Sequence, residues 1–506
     1  MTKSLFRVLT LALVLGLATP LAAQESPTAK AETAEAQVGQ PPQAQQQADP
    51  AFDREATKLA GQIKAILAGS DVTAGKVGIH AVDVATGQVL HSQGADEPMN
   101  PASNMKLITS AAALDKFGPQ YTFGTKLMAK EVDDGTIKGS LYVKGNGEAF
   151  LLHEDVLDWA GQLRQKGIEK IEGDIVIDDT AFNAAYLPPG FEQKNEDASY
   201  RSPIGAVSVN FNAVTAIVEP AGKAGEKPEV RMYPPNEHVE IVNQATTYEG
   251  RRRRIGVKSV PTEEGTKLVI TGKIGTQASP YRSRRKRIDN PPAFAGSVLA
   301  NSLEMVGIAF DGEVKTGQAP DGADVVVSHN SQPLSYVVLA MNKWSNNFMA
   351  EQVMRTLGGD DQTASTWDAA RQEATAFLKK AGIDTSTVTI HNGSGLYDGN
   401  LVSPKQFVQL LRYMSSHKWA PEYMTSLAVA GVDGTLERRM TGEQTTANVR
   451  GKTGTLNEVS ALSGYLRTES GRLVAFSVLF NDPPKRAWRY RPVQDRIVEA
   501  IAGFDE

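Results

Sequence analysis

Cysteine is absent from this 506-residue chain. That excludes a thiol nucleophile, a disulfide framework, an iron–sulfur cluster and a lipid-modified cysteine at a signal cleavage site. Histidine is scarce: the seven present, among them His80, His91, His153 and His391, form no His-x-x-x-His pair, so no metal site is expected and nothing calls for a cofactor. Neither sign of charge dominates, with 53 basic and 58 acidic side chains giving a net charge of -5, and nucleic acid is not an expected partner. Beyond the first 17 residues no stretch is long and apolar enough to span a bilayer, so a soluble mature protein is expected.

What is present suits a folded chain. Apolar side chains make up 41% and charged ones 22%, far from the composition of chains that stay disordered. At about 100 to 200 residues per domain the length suggests two or three domains. Lys3 and Arg7 precede an apolar run over residues 8–17, followed by Ala18, Pro20 and the small pair Ala22 and Ala23. The run is shorter than the roughly 18 to 20 apolar residues of a span, so residues 1–23 read as a signal peptide. Export without disulfides points to the bacterial periplasm or cell surface. Residues 24–50 lack aromatics and periodic apolar positions and read as a flexible tether.

Periodicity predicts an amphipathic helix over residues 52–67, with Leu59, Ile63, Ile66 and Leu67 on one face, then a hairpin turning at Ala85-Thr86-Gly87. A buried helix is expected from Ser103 to the stop at Gly118-Pro119. From about residue 126 to 325 the texture changes to short strands, including 139–143, 173–177, 207–218 and 267–272. Helices return over 334–341, 348–357, 366–381 and 404–414, and a strand pair over 462–466 and 472–480 precedes a closing helix over 493–501. Helices flanking an antiparallel sheet, interrupted by a β-rich insertion, make an α+β arrangement. Residues 51–125 and 326–506 would form one domain and 126–325 the inserted region.

A serine enzyme without a histidine partner can use lysine as its base, given an amine beside the hydroxyl and a pKa lowered by burial. Ser-x-x-Lys at a helix start supplies that geometry, because residues three apart share a face. The motif occurs three times. Ser283 and Lys286 sit among arginines and read as a solvated basic loop; Ser415 and Lys418 fall where a helix ends; only Ser103 and Lys106 begin a buried helix. Such chemistry also needs a Ser-x-Asn loop and a Lys-Thr-Gly strand. Ser345-Asn346-Asn347 lies between two helical segments, whereas Ser208-Val209-Asn210 sits in an alternating strand pattern; Ser328-His329-Asn330 matches the pattern as well. Lys452-Thr453-Gly454-Thr455 precedes the final apolar hairpin, whereas Lys315-Thr316-Gly317 reads as a turn.

On these three elements the chain resembles the D-alanyl-D-alanine carboxypeptidase and endopeptidase family of low-molecular-mass penicillin-binding proteins, in the class with a large insertion between its first and second motifs. Asn392-Gly393-Ser394-Gly395-Leu396, Gly431-Val432-Asp433-Gly434-Thr435-Leu436, and Gly167-Ile168 with Gly173-Asp174 support it. The resemblance implies a catalytic domain of the penicillin-binding-protein and serine β-lactamase type, with nested subdomains in the insertion. The chain departs from the family pattern at His391, at Tyr397 and over Gly145-Asn146-Gly147-Glu148, which leaves the shape of the cleft rim open.

The resemblance and the chemistry together imply roles. Ser103 attacks the carbonyl between two D-alanines and Lys106 takes its proton. The backbone N–H groups of Ser103 and Thr455 form an oxyanion hole. Ser345 and Lys452 pass a proton to the leaving amine, Asn347 holds the substrate amide or Lys106, and Thr453, Gly454 and Thr455 receive the substrate's C-terminal end. Expected partners are peptidoglycan stem peptides, with β-lactams as inhibitors; the oligomeric state is open. A β-lactamase or transpeptidase with the same motifs, or a non-catalytic wall-binding scaffold, are the competing readings. The runs at Arg251–Arg254 and residues 282–287 read as a solvated face.

Overall fold

The computed structural model describes residues 49–506 except 264, 361 and 362. The signal segment and nearly all of the tether expected from the sequence therefore lie outside the described residues.

The last third of the chain meets its first strands in one antiparallel sheet of six strands. Their order is Val89–Gln93, Lys76–Asp83, Leu473–Asn481, Val459–Arg467, Arg450–Thr455, Ala428–Val429. Alternation along the strands sorts side chains to two cores, because successive residues of a strand face opposite ways. Val474, Phe476, Val478 and Phe480, with Leu462 and Leu466, join the helices Pro50–Ala68 and Arg491–Ala502 on one face. Ala461, Tyr465, Ala475 and Leu479 point the other way, against Met105–Phe117 and the helices Leu334–Lys343, Asn347–Leu357, Trp367–Lys380 and Pro404–Ser416. Small residues dominate the second face beneath the start of Met105–Phe117, where Asn104 donates to Ser463 Oγ at 2.6 Å and Ser463 Oγ to Ser477 Oγ at 2.8 Å. A helix start can sit this close to a sheet only where the strands carry little bulk.

Between these parts the chain builds a second core. A five-stranded sheet runs Val314–Thr316, Ile175–Asp178, Leu141–Gly145, Gly124–Ala129, Asp324–Asn330, and the strands that enter and leave the region, Gly124–Ala129 and Asp324–Asn330, pair with each other. The helices His153–Gln165 and Pro291–Met305 cover it, burying Trp159, Leu163, Phe294 and Leu303. Further strands over 213–287 form two four-stranded sheets.

Several local expectations need correction. The expected texture of short strands omitted the two helices of the insertion. Of the strand expected over 207–218 only Ala213–Glu219 forms, and Ser208 sits in a buried loop, exchanging hydrogen bonds with the backbone of Gly205. Apolar residues at 207 and 209 mimic a strand because that loop is itself buried. Lys315 lies in the strand Val314–Thr316 rather than a turn. Ser283 and Lys286 do not form a free loop: Tyr281–Arg282 and Lys286–Arg287 pair with Ala213–Glu219, and Lys286 holds Asp197 at 2.8 Å.

Phe476 is fully buried in a central strand of the six-stranded sheet. Phe476→Ala is expected to cost about 3–5 kcal/mol, as a buried phenylalanine truncation does. Urea denaturation followed by far-UV circular dichroism checks this: the midpoint should fall with little change in slope, and an unchanged midpoint would count against the packing described.

Candidate active site

The first motif sits on a strained turn. Ala102 has φ 44°, in the left-handed region that a residue with a β-carbon rarely adopts, and it opens one 3-10 turn, Ala102–Asn104, that runs into the helix Met105–Phe117. Within residues 101–114 every side chain is buried except that of Ser103. The turn thus presents one hydroxyl to solvent from an otherwise buried segment. Gly395, at φ 76°, backs onto it: a β-carbon there would overlap the Ala102 carbonyl oxygen. Gly454 approaches from the sheet, where a β-carbon would lie 2.8 Å from Pro101 O and 3.0 Å from Ser103 N.

Lys106 lies one turn on and is wholly buried. Its Nζ contacts Ser103 Oγ at 3.1 Å, Asn347 Oδ1 at 2.8 Å and the Ser394 carbonyl oxygen at 2.8 Å, which accounts for all three donors of an ammonium. Burial pushes its pKa down from 10.5 to about 7, against the opposing pull of the Glu351 carboxylate. Near neutral pH the amine is therefore able to lose its proton and accept one from Ser103. Glu351 is itself fully buried one turn from Asn347, accepting from Gly393 N at 3.0 Å and Ser394 N at 2.8 Å, and burial pushes its carboxyl pKa up.

A second lysine–serine pair faces the first. Lys452, also wholly buried, donates to Ser345 Oγ at 2.9 Å and to the Thr453 carbonyl at 2.8 Å. Burial, reinforced by the charge of Lys106, drives its pKa well below the usual lysine value. Ser345 has φ 55°, also in the left-handed region, and is fixed between Leu334–Lys343 and Asn347–Leu357. Lys452 and Gly454 oppose Ser463 and Ala461, on the pleat face that packs against the Ser103 turn. Thr453 and Thr455 take the other face, where Thr453 donates to Thr435 Oγ1 at 2.8 Å and Thr455 Oγ1 accepts from Arg491 Nη2 at 3.0 Å.

Around these groups opens a cleft of about 450 Å³ whose wall includes Ser103, Ser345, Asn347, Thr455 and Trp488. Of the residues predicted from sequence, Lys106 and Lys452 lie buried beneath these groups, and Thr453 sits beside the cleft rather than in it. The opposite wall is supplied by the insertion. Asn347 Nδ2 donates to the Tyr200 carbonyl at 3.1 Å, while Glu196 accepts from the hydroxyls of Tyr200 and Tyr397, the latter at 2.8 Å. Those two hydroxyls hold the Glu196 carboxyl below its ordinary pKa. Lys194 lies over the Tyr397 ring, 5.0 Å from its centroid. Of the three departures from the family pattern, only Tyr397 reaches the cleft wall; His391 packs under Gly190 and Gly399, and Asn146 caps Gly124 N.

The decoys stay outside. Ser283, Ser415, Ser208, Ser328 and Lys315 line no part of the cleft. Sequence reasoning missed Glu351, Arg491, Glu196 and Tyr200, and held Thr435 only as part of the supporting segment Gly431 to Leu436. Glu351 falls four residues after Asn347, a helical spacing that would have placed it on the same face; the others come from segments with no motif.

A model of the D-Ala-D-Ala carboxypeptidase 3 (S13) family matches residues 59–502. The chain is 34% identical over 463 residues to a D-alanyl-D-alanine carboxypeptidase of Actinomadura sp. (strain R39), covering 88% of this chain and 85% of that one. It is 25% identical to the D-alanyl-D-alanine carboxypeptidase DacB of Haemophilus influenzae, over 80% and 85% of the two chains. Crystal structures of penicillin binding protein 4 from Haemophilus influenzae share the fold, with a TM-score of 0.74 at 23% identity over 89% of this chain and 99% of that one. One of them, with a TM-score of 0.70 at 22% identity, covers 89% of this chain and 100% of that one and holds a β-lactam.

The two buried lysines predict a pH profile. Acylation of Ser103 by an activated ester should rise with pH through about 7 as Lys106 loses its proton, and Lys106→Ala should lower it about 10²–10⁴-fold. Glu351→Gln removes the carboxylate that holds the proton on Lys106, so the rising limb should move to lower pH. A limb that stays in place, or moves up, would sink the assignment of Lys106 as base.

Proposed function

The chain belongs to the D-Ala-D-Ala carboxypeptidase 3 (S13) family, and we propose that Ser103 and Lys106 carry its reaction, the hydrolysis of D-Ala-D-Ala ends through an acyl-enzyme. The observation that carries the assignment is the contact of a half-exposed serine with a buried amine whose pKa burial has brought near neutrality. Ser103 Oγ attacks the carbonyl carbon between the two D-alanines and its proton passes to Lys106 Nζ. Collapse of the tetrahedral adduct breaks the C–N bond, and the departing amine takes the proton held on Lys106, relayed through Ser345 and Lys452. Water then attacks the ester and gives its proton to Lys106, which returns it to Ser103 Oγ as the C–O bond breaks and the shortened peptide leaves.

The remaining residues of the site act on position rather than bonds. Asn347 fixes Lys106 through its Oδ1 and the insertion through its Nδ2. The N–H groups of Ser103 and Thr455 would stabilise the oxyanion, an arrangement in which one lost donor costs about 10²-fold or more in rate. Thr455, with Arg491 bonded to it, offers the positive end at which a free C-terminal carboxylate would rest, and Thr453 and Gly454 extend that edge. The same site would accept a cross-link ending in D-alanine, giving endopeptidase activity on peptidoglycan stem peptides.

The β-lactam amide imitates the D-Ala-D-Ala bond, so such compounds should acylate Ser103. Glu196, a carboxylate in the cleft wall, is occupied by two tyrosine hydroxyls and held acidic, which makes it a poor base for a deacylating water. The acyl-enzyme formed from a β-lactam is expected to persist, unlike that of a β-lactamase. We assign residues 51–125 and 326–506 to the catalytic domain and 126–325 to the insertion, with export to the periplasm or cell surface through residues 1–23. No helix among the described residues is long and apolar enough to cross a membrane.

Mass spectrometry after brief exposure to a penicillin tests this reading. One adduct on Ser103, lost in Ser103→Ala and slowed in Lys106→Ala, is expected; no adduct, or one on Ser283 or Ser415, would overturn it. In a D-alanine release assay on a D-Ala-D-Ala-ended peptide, Ser345→Ala should lower kcat by about 10²-fold or more through loss of the proton path, and an undiminished kcat would remove Ser345 from the mechanism.

A further inference from the structure

Seven arginines of the inserted region take no part in the cleft: Arg251, Arg252, Arg253, Arg254, Arg282, Arg284 and Arg285. All are exposed, as is Lys273, which pairs with Arg254 across the strand ladder. The two runs are held side by side. Arg251 Nε donates to Gln277 Oε1 at 2.9 Å and Arg253 Nη1 to the Pro280 carbonyl at 3.1 Å, bringing the first run against the segment that leads into the second. Arg285 lies over the Phe211 ring, 4.9 Å from its centroid, and Phe211 meets Phe348, the neighbour of Asn347, at 5.7 Å. The basic surface thus runs from a hairpin end to the flank of the cleft.

Neighbouring cations are neutralised: Arg231 pairs with Glu219, Lys267 with Glu240, Lys286 with Asp197 and Arg287 with Asp289. Among the described residues none of the seven arginines, nor Lys273, has such a partner. Arg285 acts through space on Glu154, but that carboxylate already accepts from Tyr233. Holding like charges together without counter-ions costs free energy that a bound anion offsets. The choice of arginine over lysine matters too, because its planar fork pairs with two oxygens of a carboxylate or phosphate. A membrane surface would want apolar anchors beside the charges, yet no exposed large apolar side chain falls between residues 201 and 304 among those described.

We propose that this arginine surface binds the repeating anionic groups, carboxylate or phosphate, of an extended cell-wall polymer, holding the enzyme on the material whose peptide ends enter the cleft. The choice of polymer rests on the function proposed above; the binding itself needs no chemistry at Ser103.

The test compares the full chain with R252Q/R254Q/R282Q/R284Q, four exposed side chains with no hydrogen-bond or ion-pair partner to lose. Co-sedimentation with purified insoluble sacculi should be about tenfold or more weaker for the variant, and binding of the unaltered protein should fall as salt rises. D-alanine release from a short soluble peptide should be equal for the two. Sacculi stripped of phosphodiesters separate the sources: lost binding assigns phosphate, retained binding carboxylate. A variant that sediments like the unaltered protein, or a dependence on these arginines seen only with anionic phospholipid vesicles, would overturn the proposal. Absence of D-alanine release from both proteins would instead count against the proposed reaction and leave the binding result readable.

Discussion

An amine taken wholly out of water is unstable as a cation unless the protein replaces its hydration, and the burial of Lys106 sets the terms for everything around it. Its three acceptors come from three separate parts of the chain: Ser103 on its own turn, Asn347 at the head of one helix, and the Ser394 carbonyl on a loop. Each must arrive at about 3 Å, so each is over-determined by its own support. The loop is clamped by Glu351 through two backbone N–H groups, and by Gly395, whose missing β-carbon lets the Ser103 turn approach. The same burial that demands these supports depresses the amine's pKa, so stability is given up where reactivity is gained.

The helix Asn347–Leu357 carries this constraint into the insertion. Asn347 meets Lys106 and Glu351 meets the Gly393–Ser394 backbone, while Gln352 Nε2 donates to the carbonyls of Gly205 and Glu148 at 2.9 and 3.3 Å. Arg355 reaches the Ser365 carbonyl at 2.8 Å and Asn183, and its guanidinium lies over the rings of Phe182 and Trp367. One element therefore orients Lys106 and anchors the far wall of the cleft. The insertion is in this sense part of the site: Tyr200 and Glu196 belong to it, and Tyr397, from the catalytic side, closes the circuit.

Local chemistry made much of this legible in advance. Helical periodicity over 52–67 and 404–414 and alternation around Thr468-Glu469-Ser470-Gly471 were sufficient because each segment packs one face against one core. The expectation of a strand over 207–218 failed for the complementary reason: a buried loop is apolar too, and periodicity over a few residues does not separate the two. Likewise Ser283 and Lys286 read as a solvated loop, because Asp197, which pairs with Lys286, lies far away in sequence.

The sequence by itself singled out Ser103, Lys106 and the two further motifs, since a spacing of three on a helix and the order of the motifs are local properties of the chain. It also determined the absence of thiol chemistry. Only the tertiary structure decided how deep Lys106 and Lys452 are buried, that Glu351 stands behind them, that Thr453 turns away to Thr435, and that Arg491 meets Thr455. Desolvation and through-space charge depend on every atom within several ångströms, whatever its place along the chain. For the same reason two arginine runs that looked like ordinary solvated stretches become one continuous surface only once the strands bearing them are set side by side.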